Sequence, residues 1–235
     1  MKMKSTLVIV WTLALMVLPL ANVSHADLIN GDFSDELNGW TTEGFYFPEG
    51  DVRVVNGEAI LGDNSEIWSA LYQPIALDPI KYTIAFDFKN NLSNELYDSS
   101  ELDDSSFVFY DIFFASLYFI NDVSQFNLDI DPALNVFDDS SPLFDMEASG
   151  VSNNNGIIGT SSKGQEWLHF STTFTNTYAY VIPTFELLDF NYINDDSQVL
   201  IANVGINPVP EPTTLLLLGS GLFALAGMAR KRRKS

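Results

Sequence analysis

Asn56-Gly57 separates two four-residue runs, Val52–Val55 and Glu58–Leu61, and sets the strongest local constraint in the chain. A two-residue hairpin turn of type I′ needs positive φ at both central positions, and Asn-Gly is a pair that tolerates this. The pattern then recurs. Short segments rich in aromatic and β-branched residues follow at 67–75, 82–88, 107–120, 167–175, 179–188 and 199–206, separated by turn residues. In the second of these, Tyr82, Ile84, Phe86 and Phe88 alternate with Thr83, Ala85 and Asp87, so one face is buried. Residues 107–120 are too apolar for a half-exposed strand. They read as one or two central strands, with Tyr110, Phe113, Phe114 and Tyr118 in the core. Capped helical periodicity is hard to find in this part of the chain. Many short strands with turn punctuation predict an all-β sandwich. Two polar stretches, 90–106 and 121–164, interrupt the pattern and read as long loops, where binding often occurs.

The charge is divided as sharply as the strands are. All 31 acidic residues lie within 27–212. Only four of the 11 basic residues join them there, namely Arg53, Lys81, Lys89 and Lys163, so the segment carries a net −27 (4 − 31). Such a body repels nucleic acid and anionic headgroups, so no nucleic-acid partner is expected. It attracts divalent cations or stays soluble by self-repulsion. The chain has no cysteine, so its stability rests on a hydrophobic core rather than on disulfides.

Both ends differ from the body. Lys2 and Lys4 precede an apolar run from Leu7 to Leu20, and Ser24-His25-Ala26 supplies small residues at the cleavage positions. This predicts a signal peptide over 1–26, cut by signal peptidase between Ala26 and Asp27. An uncleaved membrane anchor is the alternative. At the other end, Pro210-Glu211-Pro212 precedes an uncharged apolar run from Thr213 to Ala229, then Arg230, Lys231, Arg232, Arg233 and Lys234. A helix over 213–229 would span about 26 Å, slightly short of a bilayer core unless basic side chains snorkel. The basic cluster would stay cytoplasmic, leaving the body outside the inner membrane. The expected division is therefore signal peptide 1–26, sandwich 27–207 and tail 208–235.

Val209-Pro210-Glu211-Pro212, a leucine-rich run with glycines and a basic end resemble the PEP-CTERM sorting signal of Gram-negative bacteria. The resemblance implies export, recognition of Val209, Pro210, Glu211 and Pro212 by an exosortase, and a link to extracellular polysaccharide. Two prolines also keep this segment extended and out of the helix, which suits a protease site.

The body is similar to carbohydrate-binding-like jelly rolls of the galactose-binding-like superfamily. The residues concerned are Asn30–Gly44 (NGDFSDELNGWTTEG), Val54–Leu61, Leu71–Leu77 and Val199–Ile206. Such modules hold a structural calcium near the N-terminal segment and at an acid of the last strand. Here Ala202 stands in place of that aspartate and Ser34 where a glutamate is common, which leaves Asp32 as the acid able to contribute. Other acidic groups, Asp98/Glu101/Asp103/Asp104, Asp129/Asp131, Asp138/Asp139 and Asp195/Asp196, lack the EF-hand loop pattern. They read as solvated surface. Trp40, Trp68 and Trp167 are the candidate sugar-stacking residues, with core packing as the alternative for each.

Catalysis finds little support. A thiol nucleophile is excluded, and after signal cleavage His169 is the one histidine left, which excludes a multi-histidine metal site. His169 reads as a structural or surface residue. The sequence thus predicts a non-enzymatic protein sorted to the envelope or matrix. A carbohydrate-binding module gripping matrix polysaccharide is the alternative, and a glycoside hydrolase using two loop carboxylates comes third.

Overall fold

The computed structural model describes residues 28–45, 52–62, 67–92, 97–98, 108–109, 111–128, 137, 139–147, 157–158, 167–190, 197–210 and 220–221. Among these residues, fourteen strands run in chain order. They are β1 (Thr41–Gly44), β2 (Val52–Val55), β3 (Glu58–Leu61), β4 (Trp68–Tyr72), β5 (Ile75–Ala76), β6 (Lys81–Asn91), β7 (Tyr97–Asp98), β8 (Val108–Phe109), β9 (Ile112–Ile120), β10 (Asp139–Glu147), β11 (Ile157–Ile158), β12 (Leu168–Thr175), β13 (Tyr180–Leu188) and β14 (Gln198–Pro208).

They form two antiparallel sheets. Sheet 1 has the order β1-β4-β13-β9-β10, with β5 also on β13; sheet 2 has the order β11-β12-β6-β14-β3-β2. The short pair β7-β8 stands apart. The sheets pack face to face through aromatic rings. Phe86 of β6 meets Phe185 of β13 at 4.9 Å, and Phe88 of β6 meets Phe113 of β9 at 5.8 Å. This is the expected β-sandwich, and the period-2 alternation of β6 aims Tyr82, Ile84, Phe86 and Phe88 inward.

The hairpin between β2 and β3 forms as predicted, with Asn56 at φ 55° and Gly57 at φ 81°. Two expectations need correction. The stretches 90–106 and 121–164 are not loop alone, because the first contains the end of β6 and all of β7 and the second contains β10 and β11. The run 67–75 is broken into β4 and β5 at Gln73. That side chain is buried and turns away to tie down the N-terminal segment. Its Nε2 donates to Ile29 O and Gly39 O, and its Oε1 accepts from Ile29 N.

A buried polar knot closes one end of the sandwich where β13 leaves and β14 begins. Ser197 N donates to Asp189 Oδ2 at 3.1 Å, Ser197 Oγ donates to Asp111 Oδ2, and Phe190 N donates to Asp111 Oδ1 at 2.8 Å. At the C-terminal end of β14, Val209 N donates to Lys81 O at 2.8 Å, so the sandwich holds the chain up to the threshold of the tail. The predicted signal peptide, its cleavage pair Ala26 and Asp27, Glu211, Pro212 and Arg230–Lys234 lie outside the described residues. So does the predicted 213–229 helix, apart from Ser220 and Gly221, which are helical. Among the described residues, no helix is long and apolar enough to cross a membrane.

Candidate functional site

The outer face of sheet 1 is unusual for a sandwich surface, because it is aromatic and carries acids. Alternation splits each central strand between two clusters. Leu71, Phe113, Ala115, Leu117, Phe119, Val181, Phe185 and Leu187 face the inter-sheet core. Trp68, Ala70, Tyr72, Ile120 and Ile182 join a second cluster on the opposite face, with Tyr118, Tyr180, Leu188 and Phe126 partly buried against it. The expectation that Phe114 and Tyr118 belong to the core is therefore corrected. Only the odd-numbered side chains of β9 point inward, and Tyr118 lies on the outer face.

The segment after β9 folds back over this face. Asp122 caps a short 3-10 turn, Val123–Gln125, by accepting from Ser124 N. Phe126 then lies 5.3 Å edge-on to Tyr72 and 6.0 Å from Tyr118, while the exposed Phe137 packs 4.8 Å from Tyr118.

Two glutamates sit under these rings. Glu43 of β1 and Glu186 of β13 both pair with Ala70 of β4, one from each side. A single intervening strand separates them, with a small side chain between, so their backbones are roughly 10 Å apart. Trp68 Nε1 donates to Glu186 Oε2 at 3.2 Å, and Tyr118 Oη donates to Oε1 at 3.4 Å. Tyr72 Oη donates to Glu43 Oε1 at 2.6 Å. Desolvation by the surrounding rings pushes the Glu186 carboxyl above its ordinary value of 4.5. The Trp68 and Tyr118 hydrogen bonds oppose that rise, and the nearby Glu43 charge adds to it. Burial, reinforced by the neighbouring glutamate, also raises the Tyr72 and Tyr118 hydroxyls well above the usual phenol range.

A carboxyl with a raised folded-state pKa binds more protons in the folded than in the unfolded chain. Its stabilising effect is present at low pH and is lost as pH rises from 4.5 through the folded value. Glu186→Gln keeps an oxygen for Trp68 and removes the charge. The expected result is a higher melting midpoint than wild type at neutral pH, with the gap closing in acid. A gap independent of pH would show that Glu186 does not titrate this way.

The sequence-selected residues fall in separate places. Trp68 is buried on the outer face of sheet 1. Trp40 packs in the inter-sheet core against Phe33 at 5.3 Å and Phe185 at 6.2 Å, with Nε1 donating to Asn30 O, so it presents no ring face to solvent. Trp167 is 42% exposed and precedes β12 of sheet 2. The three do not form one platform. Asp32 is exposed, and Ser34 N and Oγ both donate to its Oδ1, which holds its carboxyl below the ordinary range. Among the described residues, no group of three or more His, Cys, Asp or Glu is placed to hold a metal ion. His169 stands half-exposed on sheet 2, with Nδ1 2.7 Å from Asp87 Oδ1, and Asn203 Nδ2 donates to the other Asp87 oxygen. Val209 and Pro210 of the sorting segment follow directly from β14.

Fold and site define an antiparallel β-sandwich protein with an acid-bearing aromatic outer face. At residues 208–233 it carries the PEP-CTERM protein-sorting motif. No curated protein matches the chain. Among solved structures it is similar to TmCBM61, in complex with β-1,4-galactotriose, at 12% identity, TM-score 0.44, over 79% of this chain and 99% of that one. It is also similar to a cleaved adhesin domain of Lys-gingipain from Porphyromonas gingivalis, at 13% identity, TM-score 0.43, over 77% and 99%. A third is the C-terminal family 22 carbohydrate-binding module of Clostridium thermocellum Xyn10B, at 8% identity, TM-score 0.42, over 80% and 97%.

Proposed function

We propose that the chain is an exported exosortase substrate, sorted to the cell envelope or the extracellular polysaccharide matrix, with the sandwich as a non-catalytic displayed module. In this reading signal peptidase removes 1–26, and the jelly-roll body 27–207 waits in the periplasm. The 213–229 helix holds it in the inner membrane, with Arg230–Lys234 on the cytoplasmic side. The sorting motif at 208–233 carries the proposal. The motif begins where β14 ends, and Val209 N donates to Lys81 O, so the sandwich and the tail adjoin without a linker. Deletion of Pro210–Ser235 spares that bond and is expected to shift the protein from the membrane fraction to the periplasm or medium. Fractionation and immunoblotting read the outcome, and unchanged localisation would sink the sorting proposal.

A second reading, binding of matrix polysaccharide, is favoured by the outer face of sheet 1. The ring of Phe137 is exposed there and those of Tyr118 and Phe126 are partly so, beside Glu186, whose carboxylate can accept hydroxyl hydrogen bonds. Structural calcium at Asp32 belongs to the same reading. Its support is the resemblance of the Asn30–Gly44 segment, and Ala202 removes one of the ligands that resemblance would supply.

A further inference from the structure

We infer that the outer face of sheet 1 takes an amine-bearing polysaccharide, with Glu186 as counter-charge to a protonated amino sugar and Tyr118, Phe126 and Phe137 as the rings beside it. The inference rests on the polysaccharide-binding reading and adds the ligand's charge.

The distribution of cations comes first. Every lysine and arginine found in the strands (Arg53, Lys81, Lys89) belongs to sheet 2, and sheet 1 contains none. Its outer face does carry Glu43 and Glu186. An acidic glycan brought to this face would meet like charge and, among the described strand residues of the sheet, no guanidinium or ammonium to bind it. A cationic one would be drawn in by the field of a segment, 27–212, carrying 31 acids against four basic residues.

The second observation is the state of Glu186. It occupies a strand whose other outward residues are Tyr180, Ile182, Thr184 and Leu188. Its two oxygens receive one indole N–H at 3.2 Å and one phenol O–H at the long distance of 3.4 Å, both neutral donors. A carboxylate in such a setting gains more from an ammonium than it would at a wet surface, because the surrounding rings already exclude water. The rings add cation–π attraction for the same ammonium. Glu186, Tyr118 and Phe126 keep partial exposure and Phe137 is exposed, so the face is not wholly covered.

The test uses the full chain in mild detergent and calorimetric titration with three probes: hexaglucosamine, its fully N-acetylated hexamer and an oligogalacturonate. At pH 6 and low salt, wild type is expected to bind hexaglucosamine at least about ten-fold tighter than the N-acetyl hexamer and to ignore the uronate. Glu186→Gln, expected to fold at least as stably as wild type, should lose that preference. Asp78→Asn, an exposed acid elsewhere, should keep it. Equal binding by wild type and Glu186→Gln would show diffuse polycation attraction and overturn the inference. Equal Glu186-dependent binding of hexalysine would overturn its sugar component. Preference for the N-acetyl hexamer would overturn it while sparing the polysaccharide reading. Binding of no glycan would remove both and leave the sorting proposal untouched.

Discussion

Phe86→Ala is expected to lower unfolding free energy by about 4 kcal/mol, the middle of the range for a fully buried phenylalanine. Phe86 is 0% exposed at the centre of the inter-sheet core. Its ring stacks on Phe170 of the neighbouring β12 at 5.1 Å and meets Phe185 of sheet 1 edge-on at 4.9 Å. Truncation removes both contacts at once. Neither neighbour can fill the space easily, because Phe170 and Phe185 are each fixed on a central part of their own sheet. With a total stability of roughly 5–15 kcal/mol for a domain of this size, the variant should sit near its unfolding threshold. Denaturant unfolding followed by indole fluorescence reads the effect. Thr83→Ala, on the opposite face of the same β6, should stay within about 0.5 kcal/mol of wild type. If both variants lost stability equally, the inward–outward assignment of β6 would be wrong.

That assignment was legible before the structure because β6 separates its two faces cleanly. From Tyr82 to Phe88 its inward positions are all aromatic or aliphatic, and the outward ones between them are Thr83, Ala85 and Asp87. The Asn56-Gly57 turn was legible for a similar reason, since only one conformational choice suits that pair between two short runs. Strand β10 was not. It is an edge strand with Pro142, several acids and a register shift between Pro142 and Phe144. Edge strands tolerate proline and charge because one side of the backbone needs no ladder partner, so their composition looks like loop.

The candidate site was legible only in pieces. In β9 both parities carry aromatics, so alternation could not separate Phe113 from Tyr118. The second face is covered by Phe126 of the following segment, a long-range contact with no local signature. Glu186 did leave a trace, as the one charged residue in the apolar run of β13. A lone acid inside a strand buried on both faces needs donors, and Trp68 and Tyr118 supply them from the flanking strands. Trp40 shows the converse. Its motif was visible, but its role is to bury Asn30–Trp40 against the core rather than to face a ligand.

The Asn30–Trp40 segment also sets the second large effect, at Gly31. A Cβ there would lie 2.0 Å from Val204 O and 2.4 Å from Leu28 Cδ2. The carbonyl cannot retreat cheaply. Val204 N donates to Gly31 O at 2.8 Å, and Val204 lies within a bulge of β14, between Ala202 and Gly205, where Asn203 holds φ 52°. Gly31→Ala must therefore break that bond and lift the segment, uncovering Phe33 and Trp40, which are 1% and 8% exposed. One hydrogen bond and partial exposure of two large rings come to about 4 kcal/mol. Gly57→Ala offers the comparison. Its Cβ would come no nearer than 3.3 Å to Asp32 O, so the penalty is mainly that of a positive φ, about 1 kcal/mol. The two should also differ in kind. Gly31→Ala is expected to red-shift indole emission under native conditions, because Trp40 loses its cover while the sheets stay paired. Gly57→Ala should leave the emission unchanged. An unshifted spectrum and a cost near 1 kcal/mol for Gly31→Ala would mean that the segment rests on β14 loosely. Its glycine would then serve only the turn, and the close approach to Val204 would not govern stability.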